Sequence, residues 1–244
     1  MSLEDRQRDQ FDKVSASYDA VQGPVVAAIH RISQERYYRR CVGRTVLDLG
    51  NGGQSAVEVL GPEIGPAVTR FVGLDHSLGM LTRRADRGGH VVGEGARLPF
   101  RDGAFDYVLV NGVLHHLGWQ RGEPPCRRLH AFLAEALRVC ARELIVYEPF
   151  TSGVLERLER VVATLLGAMP TFMLSESTLD ACLAGAGLAR EEALTRSLTE
   201  LKGRFYWYIV IMEYPWLKLP AFLSPFRHGF FVLRKSRLGP PAAR

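Results

Sequence analysis

Three acids stand where an apolar run gives way to a turn: Asp48 in Val46-Leu47-Asp48-Leu49, Asp75 closing Phe71-Val72-Gly73-Leu74-Asp75, and Glu94 just past Val91-Val92. The first run leads at once into Gly50-Asn51-Gly52-Gly53. Glycines in such a turn let a ligand approach the backbone, because a side chain there would occupy its space. They do not by themselves say which ligand. Asp48 does: a carboxylate beside a pyrophosphate costs Coulomb energy, whereas beside a cation it is favourable. Asp75, 25 residues beyond Gly50, is placed to accept hydrogen bonds from both hydroxyls of a ribose. Charge-assisted bonds of this kind contribute roughly 1.5–3 kcal/mol each. Glu94 is placed to accept from an exocyclic amine of adenine. The three acids describe a pocket for an adenosine that bears a positive charge, which S-adenosylmethionine fits and NAD fits badly. The competing reading is that they are ordinary turn and loop acids.

The elements that must hold these residues alternate. Val46–Leu49, Phe71–Asp75, Val91–Val92, Phe105–Val110 and Leu144–Tyr147 read as buried strands. Helices are expected over 55–60, 78–85 with Ser77 as cap, and 126–140. Alternating strands and helices imply an α/β fold with a parallel sheet covered on both faces. Before it, residues 5–20 and 24–40 read as helices separated by Gly23-Pro24; after it, 153–187 looks helical and His228–Arg234 is a last strand. No linker divides the chain, so one domain is expected over 1–244: N-terminal helices capping the pocket (1–42), a ligand-binding core (43–150), and substrate-side helices and strands (151–237).

At 244 residues, 47% apolar and 23% charged, the chain can bury one substantial core. The net charge of +5 is spread along the sequence rather than gathered in a stripe, which argues against a nucleic-acid partner. Cys41, Cys126, Cys140 and Cys182 are far apart and read as small core residues, with a reducing cytoplasm the expected setting. No apolar run reaches the ~18 residues of a membrane span.

Taken together, Val46-Leu47-Asp48-Leu49-Gly50-Asn51-Gly52, Phe71 to Leu81, Gly93-Glu94-Gly95-Ala96-Arg97-Leu98-Pro99-Phe100 and Phe105-Asp106 resemble the class I methyltransferases. Within them the likeness is strongest to the small-molecule branch typified by ubiquinone and menaquinone biosynthesis, with Phe11-Asp12-Lys13-Val14 and Tyr18-Asp19 similar to its opening segment. The resemblance covers about residues 10–150. It implies a Rossmann-like, mostly parallel seven-stranded sheet with helices on both faces and S-adenosyl-L-methionine as cofactor. It also implies that Gly50 and Gly52, with Asn51 between them, line the methionine portion, that Asp75 holds the ribose with His76 at its edge or in solvent, and that Met80 packs near adenine. Glu94 and Gly95 would recognise the amine edge, Asn111 would lie under the sulfonium, Tyr18 would help close the pocket, and His116 would face the substrate. The family's third glycine is replaced by Gln54, which either begins the helix or crowds the methionine carboxylate.

The remaining candidates keep two or more readings. His115 and His116 either act in catalysis or cap and pack. Glu148 in Tyr147-Glu148-Pro149 is either a base or a solvated or ion-paired acid. The aromatic run 204–217 is a substrate wall, a core strand or an oligomer contact, which leaves a homodimer open. The other histidines show no metal-ligand spacing, so no metal is expected. The function expected is methyl transfer to a small, largely apolar metabolite of a secondary pathway. The alternative is a same-fold protein that binds the cofactor but catalyses cyclisation or serves as a binding module.

Overall fold

The computed structural model describes residues 8, 9, 12, 36–82, 89–117, 126–166, 174–197 and 227–234. Its eight strands are β1 (Thr45–Leu49), β2 (Arg70–Asp75), β3 (His90–Val92), β4 (Phe105–Asn111), β5 (Cys140–Thr151), β6 (Leu174–Ser175), β7 (Glu191–Ser197) and β8 (Arg227–Leu233). They form one sheet in the order β3-β2-β1-β4-β5-β8-β7, with β6 pairing β5 off that path. Pairings from β3 through β5, and β5 with β6, are parallel. Only β8, against β5 and β7, runs antiparallel.

Central parallel strands are apolar on both faces because both are covered, and successive side chains point to opposite sides. Leu47, Leu49, Val108, Val110, Leu144 and Val146 enter one core layer. Val46, Tyr107, Leu109, Ile145 and Tyr147 enter the other. The first layer is closed by α3 (Arg127–Val139), whose Leu129, Phe132, Leu133, Ala136 and Leu137 recur at helical spacing. The second is closed by Tyr37, Tyr38 and the Val59–Leu60 end of α1 (Ala56–Leu60). Ser55 starts α1 with a reciprocal capping box to Glu58. The remaining helices are α2 (Leu78–Thr82), α4 (Gly153–Leu166) and α5 (Glu176–Gly185).

Several expectations are corrected. The expected mostly parallel sheet is present, its seven-strand path β3-β2-β1-β4-β5-β8-β7 joined among the described residues by the short β6 beside β5. The helix expected over 153–187 is interrupted at Leu174–Ser175, where the chain pairs with β5 and Ser175 then caps α5 by accepting from Thr178 N. Cys126 and Cys182 are joined in a disulfide with Cα atoms 5.4 Å apart, while Cys41 and Cys140 are free and buried. The cysteines therefore give no argument for a reducing compartment. Most of residues 5–20 and 24–40, expected to be helical, lie outside the described residues, as do Tyr18 and the run 204–217. Among the described residues no helix is long and apolar enough to cross a membrane.

Candidate active site

The sheet reverses its winding between β1 and β4, and such a switch point opens a crevice at the carboxyl ends of the strands. A cavity of about 330 Å³ lies there, at the small end of the roughly 300–1,000 Å³ usual for ligand sites. One wall comes from the ends of β1 and β2 with α2: Leu49, Gly50, Leu74, Asp75, His76 and Met80. Gly93 to Ala96 form the next side, Asn111 to Val113 with His116 and Leu117 the far side, and Arg127, Arg128, Ala131 and Phe132 of α3 the last.

The glycine turn is shaped by neighbours as much as by a ligand. Gly50 has φ +73°, and a Cβ there would run into the Val113 side chain; at Gly53, with φ +79°, a Cβ would lie 2.8 Å from the Met80 carbonyl oxygen. The amides of Gly50 and Asn51 both donate to the Leu74 carbonyl, at 2.8 and 3.1 Å, tying the turn to β2.

Asp75 is 6% exposed and faces the cavity. Its carboxylate accepts from the Gly52 amide through one oxygen and from the Ser77 amide through the other, each at 2.9 Å. Two backbone donors fix the group's plane while leaving lone pairs free for a ligand. Ser77 also accepts from the Met80 amide at 3.0 Å, and Asp12 binds both the Ser77 hydroxyl and, at 2.8 Å, the Gly79 amide. Arg8 reaches the opposite rim, 2.5 Å from Glu94. Arg8 and Asp12 thus touch both sides of the opening.

Asp48 is placed differently from the expectation. It is 2% exposed, is not among the residues that wall the cavity, and accepts from Asn51 Nδ2 at 2.7 Å and Asn111 Nδ2 at 3.2 Å. Burial pushes its carboxyl up to about 7, against the lowering effect of the two amides. Asn111 does face the cavity, and its Oδ1 accepts from the Tyr38 hydroxyl at 2.8 Å. Asp48 and Tyr38 therefore set the orientation of Asn111 from behind. Asn51 and Gly52 likewise support the wall without forming it, and Gln54 stays out of it.

Glu148 and His115 also stand one layer back. Glu148 is fully buried and accepts from the Leu114 amide at 2.9 Å, the His115 amide at 3.1 Å and the His115 Nδ1. That carboxylate anchors the 3-10 turn Leu114–His116; with its acceptor sites directed to that turn and no place in the wall, the reading of Glu148 as a substrate-facing base is corrected. His116 does line the cavity, with its ring centroid 3.9 Å from that of His115. Burial first, then the neighbouring His115, His76 and Arg128, holds His116 well below the usual imidazole range, so it is neutral near pH 7.

Of the expected site residues, the fold gathers Gly50, Asp75, His76, Met80, Glu94, Gly95, Asn111 and His116 around one cavity. Sequence reasoning missed Tyr38, Arg127, Arg128 and Phe132. The Phe132 ring lies where a Cβ on Gly95 would go, so the glycine is needed for helix packing. The helical spacing of Leu129, Phe132 and Ala136 was a signal that could have found Phe132.

Residues 47–146, a span that includes every residue walling the cavity, match a family model described as a methyltransferase domain. A demethylmenaquinone methyltransferase from Corynebacterium glutamicum (strain R) is 33% identical to this chain over 111 residues, which cover 44% of this chain and 46% of that protein. The chain thus matches about half the length of its curated relatives. Among solved structures, the magnesium protoporphyrin IX methyltransferase of Synechocystis PCC 6803 with bound SAH has a TM-score of 0.57 at 14% identity, covering 95% of this chain and 99% of that one. The [4+2]-cyclase SpnF has a TM-score of 0.66 at 16% identity, covering 96% and 97%. These likenesses show a Rossmann-like α/β fold, one shared by a methyl-transfer enzyme and a cyclase.

Proposed function

We propose that the chain is an S-adenosylmethionine-dependent methyltransferase that modifies a small, largely apolar metabolite in a secondary pathway. The observation that carries this reading is Asp75, a cavity-facing carboxylate fixed by two backbone amides at the end of β2, with Gly93 to Ala96 across from it. That arrangement suits a ribose and an adjoining adenine. Asp75 would bind the ribose, Met80 would supply an apolar face, and Gly50 with Asn111 would border the methionine portion.

The cofactor supplies a sulfonium whose methyl group is already electrophilic, so the protein has to align a nucleophile and exclude water. Val113, Leu117, Ala131 and Phe132 provide apolar surface for the acceptor. His116, neutral and cavity-facing, is the group that would take a proton from a hydroxyl acceptor. His115 and Glu148 hold the turn that presents it.

The test is calorimetry with S-adenosylmethionine and S-adenosylhomocysteine, followed by labelled-methyl transfer across a panel of small hydroxylated metabolites. Binding of both, and transfer that falls at least about tenfold in His116→Ala while cofactor affinity holds, is the expected result. Absence of binding by either would overturn the reading. Binding with no labelled product across the panel would instead favour a cyclase-like use of the fold.

A further inference from the structure

Of the chain's four cysteines, Cys41 and Cys140 are free and buried while Cys126 and Cys182 are joined. A thiol reductant therefore has one bond to break, and that bond lies beside the cavity. Cys126 is the residue before α3; Arg127 and Arg128, the next two, wall the cavity, with Ala131 and Phe132 one turn on. Cys126 is half-buried, and Cys182 is buried in α5 within the same apolar layer.

The backbone at Cys126 is left-handed, with φ +77° and ψ −13°. That conformation is unfavourable for an L-residue with a Cβ and persists where the surroundings impose it. The Cys126 side chain makes no cap to the helix; its covalent bond runs to α5 instead. That helix is itself fixed, by Leu179 and Leu183 in the core and by the Ser175 cap. Beyond its first turn α3 is held independently of the bridge: Leu129, Phe132 and Leu133 are buried, and His130 Nε2 donates to the Cys182 carbonyl at 2.7 Å. The disulfide thus acts on the first turn, the part that carries the two arginines.

We propose that the Cys126–Cys182 disulfide is a redox-sensitive switch on the α3 wall of the cavity. The bridge holds the helix start in its ligand-competent shape; reduction lets Cys126 leave the left-handed region and carries Arg127 and Arg128 out of place. The reaction is exchange with a small dithiol. One thiolate of the dithiol attacks a bridge sulfur, the protein's S–S bond breaks, and the reductant closes its own disulfide, so that two electrons and two protons pass to Cys126 and Cys182 as thiols. The consequence for an S-adenosyl ligand rests on the proposed function, whereas the release of the helix start does not.

The experiment compares the full chain oxidised in air with the same chain after dithiothreitol. Thiol titration of the unfolded protein should count two thiols before and four after. The His130 amide, which donates to the Cys126 carbonyl at 2.7 Å, should exchange hydrogen faster after reduction, as should those of Ala131 and Phe132, while 134–139 stay protected. S-adenosylhomocysteine affinity, measured by calorimetry, should fall about five- to thirtyfold, the shift that one left-handed residue allows, and return on reoxidation. Cys126→Ser with Cys182→Ser should show the reduced affinity with or without dithiothreitol. Cys126→Gly with Cys182→Ser, where glycine adopts the left-handed φ without a bridge, should bind more tightly than the serine pair. Four thiols in the air-oxidised chain, exchange at 130–132 indifferent to reduction, affinity unchanged by reduction, or a glycine variant no better than the serine one each overturns the proposal. If the oxidised wild type binds no S-adenosylhomocysteine, the cofactor reading fails separately, and the exchange measurement alone decides the switch.

Discussion

Asp48 offers a way to read a buried proton through the cofactor. Its carboxyl is raised from 3.8 to about 7 by burial, which corresponds to about 4 kcal/mol of disfavoured ionisation. Below pH 3.8 the group is protonated in both folded and unfolded chains. Between there and about 7 the folded chain holds a proton that the unfolded chain has released, so this contribution to stability declines as pH rises, and it is lost above the folded value. A cation bound against Asn111, which shares the Asp48 carboxylate, favours the ionised form and should expel that proton. Near pH 7, where the group is half protonated, S-adenosylmethionine should release about 0.5 proton, rising toward about one at pH 6 and falling toward zero at pH 8. S-adenosylhomocysteine, an uncharged thioether at the same position, should release far less. Calorimetry in buffers of differing ionisation enthalpy measures the difference directly, and Asp48→Asn should abolish it while flattening the pH dependence of thermal stability from 4 to 7. Equal proton release by the two ligands, or release that survives in Asp48→Asn, would refute the link between Asp48 and the sulfonium.

Three further outcomes are expected. Gly95→Ala drives a Cβ into the Phe132 ring and should destabilise by about 1–3 kcal/mol; Gly95→Ala combined with Phe132→Leu should recover part of that loss in thermal melts. Glu148→Gln replaces one acceptor oxygen facing the Leu114 and His115 donors with an amide donor, costing about 1–3 kcal/mol, and steady-state kinetics should show a lower kcat and a displaced pH profile with cofactor affinity held. Cys126→Ser with Cys182→Ser opens a bridge spanning 56 residues, for which chain entropy gives a loss of about 4 kcal/mol; the double variant should melt lower than the wild type in the absence of reductant and alike in its presence.

The legible parts of the fold were those in which a local pattern and burial agree. β1, β2 and β4 are short apolar runs closed by turn residues, and they sit at the sheet's centre. β5 was read only over 144–147 because Cys140-Ala141-Arg142-Glu143 looks polar; in the fold Arg142 pairs with Asp106, and Arg40 and Arg234 converge on Glu143. β7 escaped for a similar reason. Its opening Glu191-Glu192 is set among Arg40 and Arg234, which a window along the chain does not contain. The site divides the same way. Asp75 could be found because its position after a strand defines its surroundings, whereas Asp48 has the same local setting and faces inward. What separates them is Asn111, 63 residues away, and Tyr38 behind it. Arg127 and Arg128 were part of a positive charge spread along the sequence, and only the tertiary fold brings the start of α3 to the cavity.

The antiparallel seat of β8 between β5 and β7 bears on how the protein is made. Residues 227–233 fill the interior of a sheet whose first strand begins at Thr45. During translation the edge of β5 from Leu144 to Phe150, which β8 later covers residue for residue, stays open until nearly the whole of these 244 residues has been synthesised. An apolar, unpaired edge on a nascent chain is a template for unwanted pairing. Residues 47–146 therefore emerge well before the distant strand that protects them, and a ribosome stall before Arg227 should yield a species prone to aggregate.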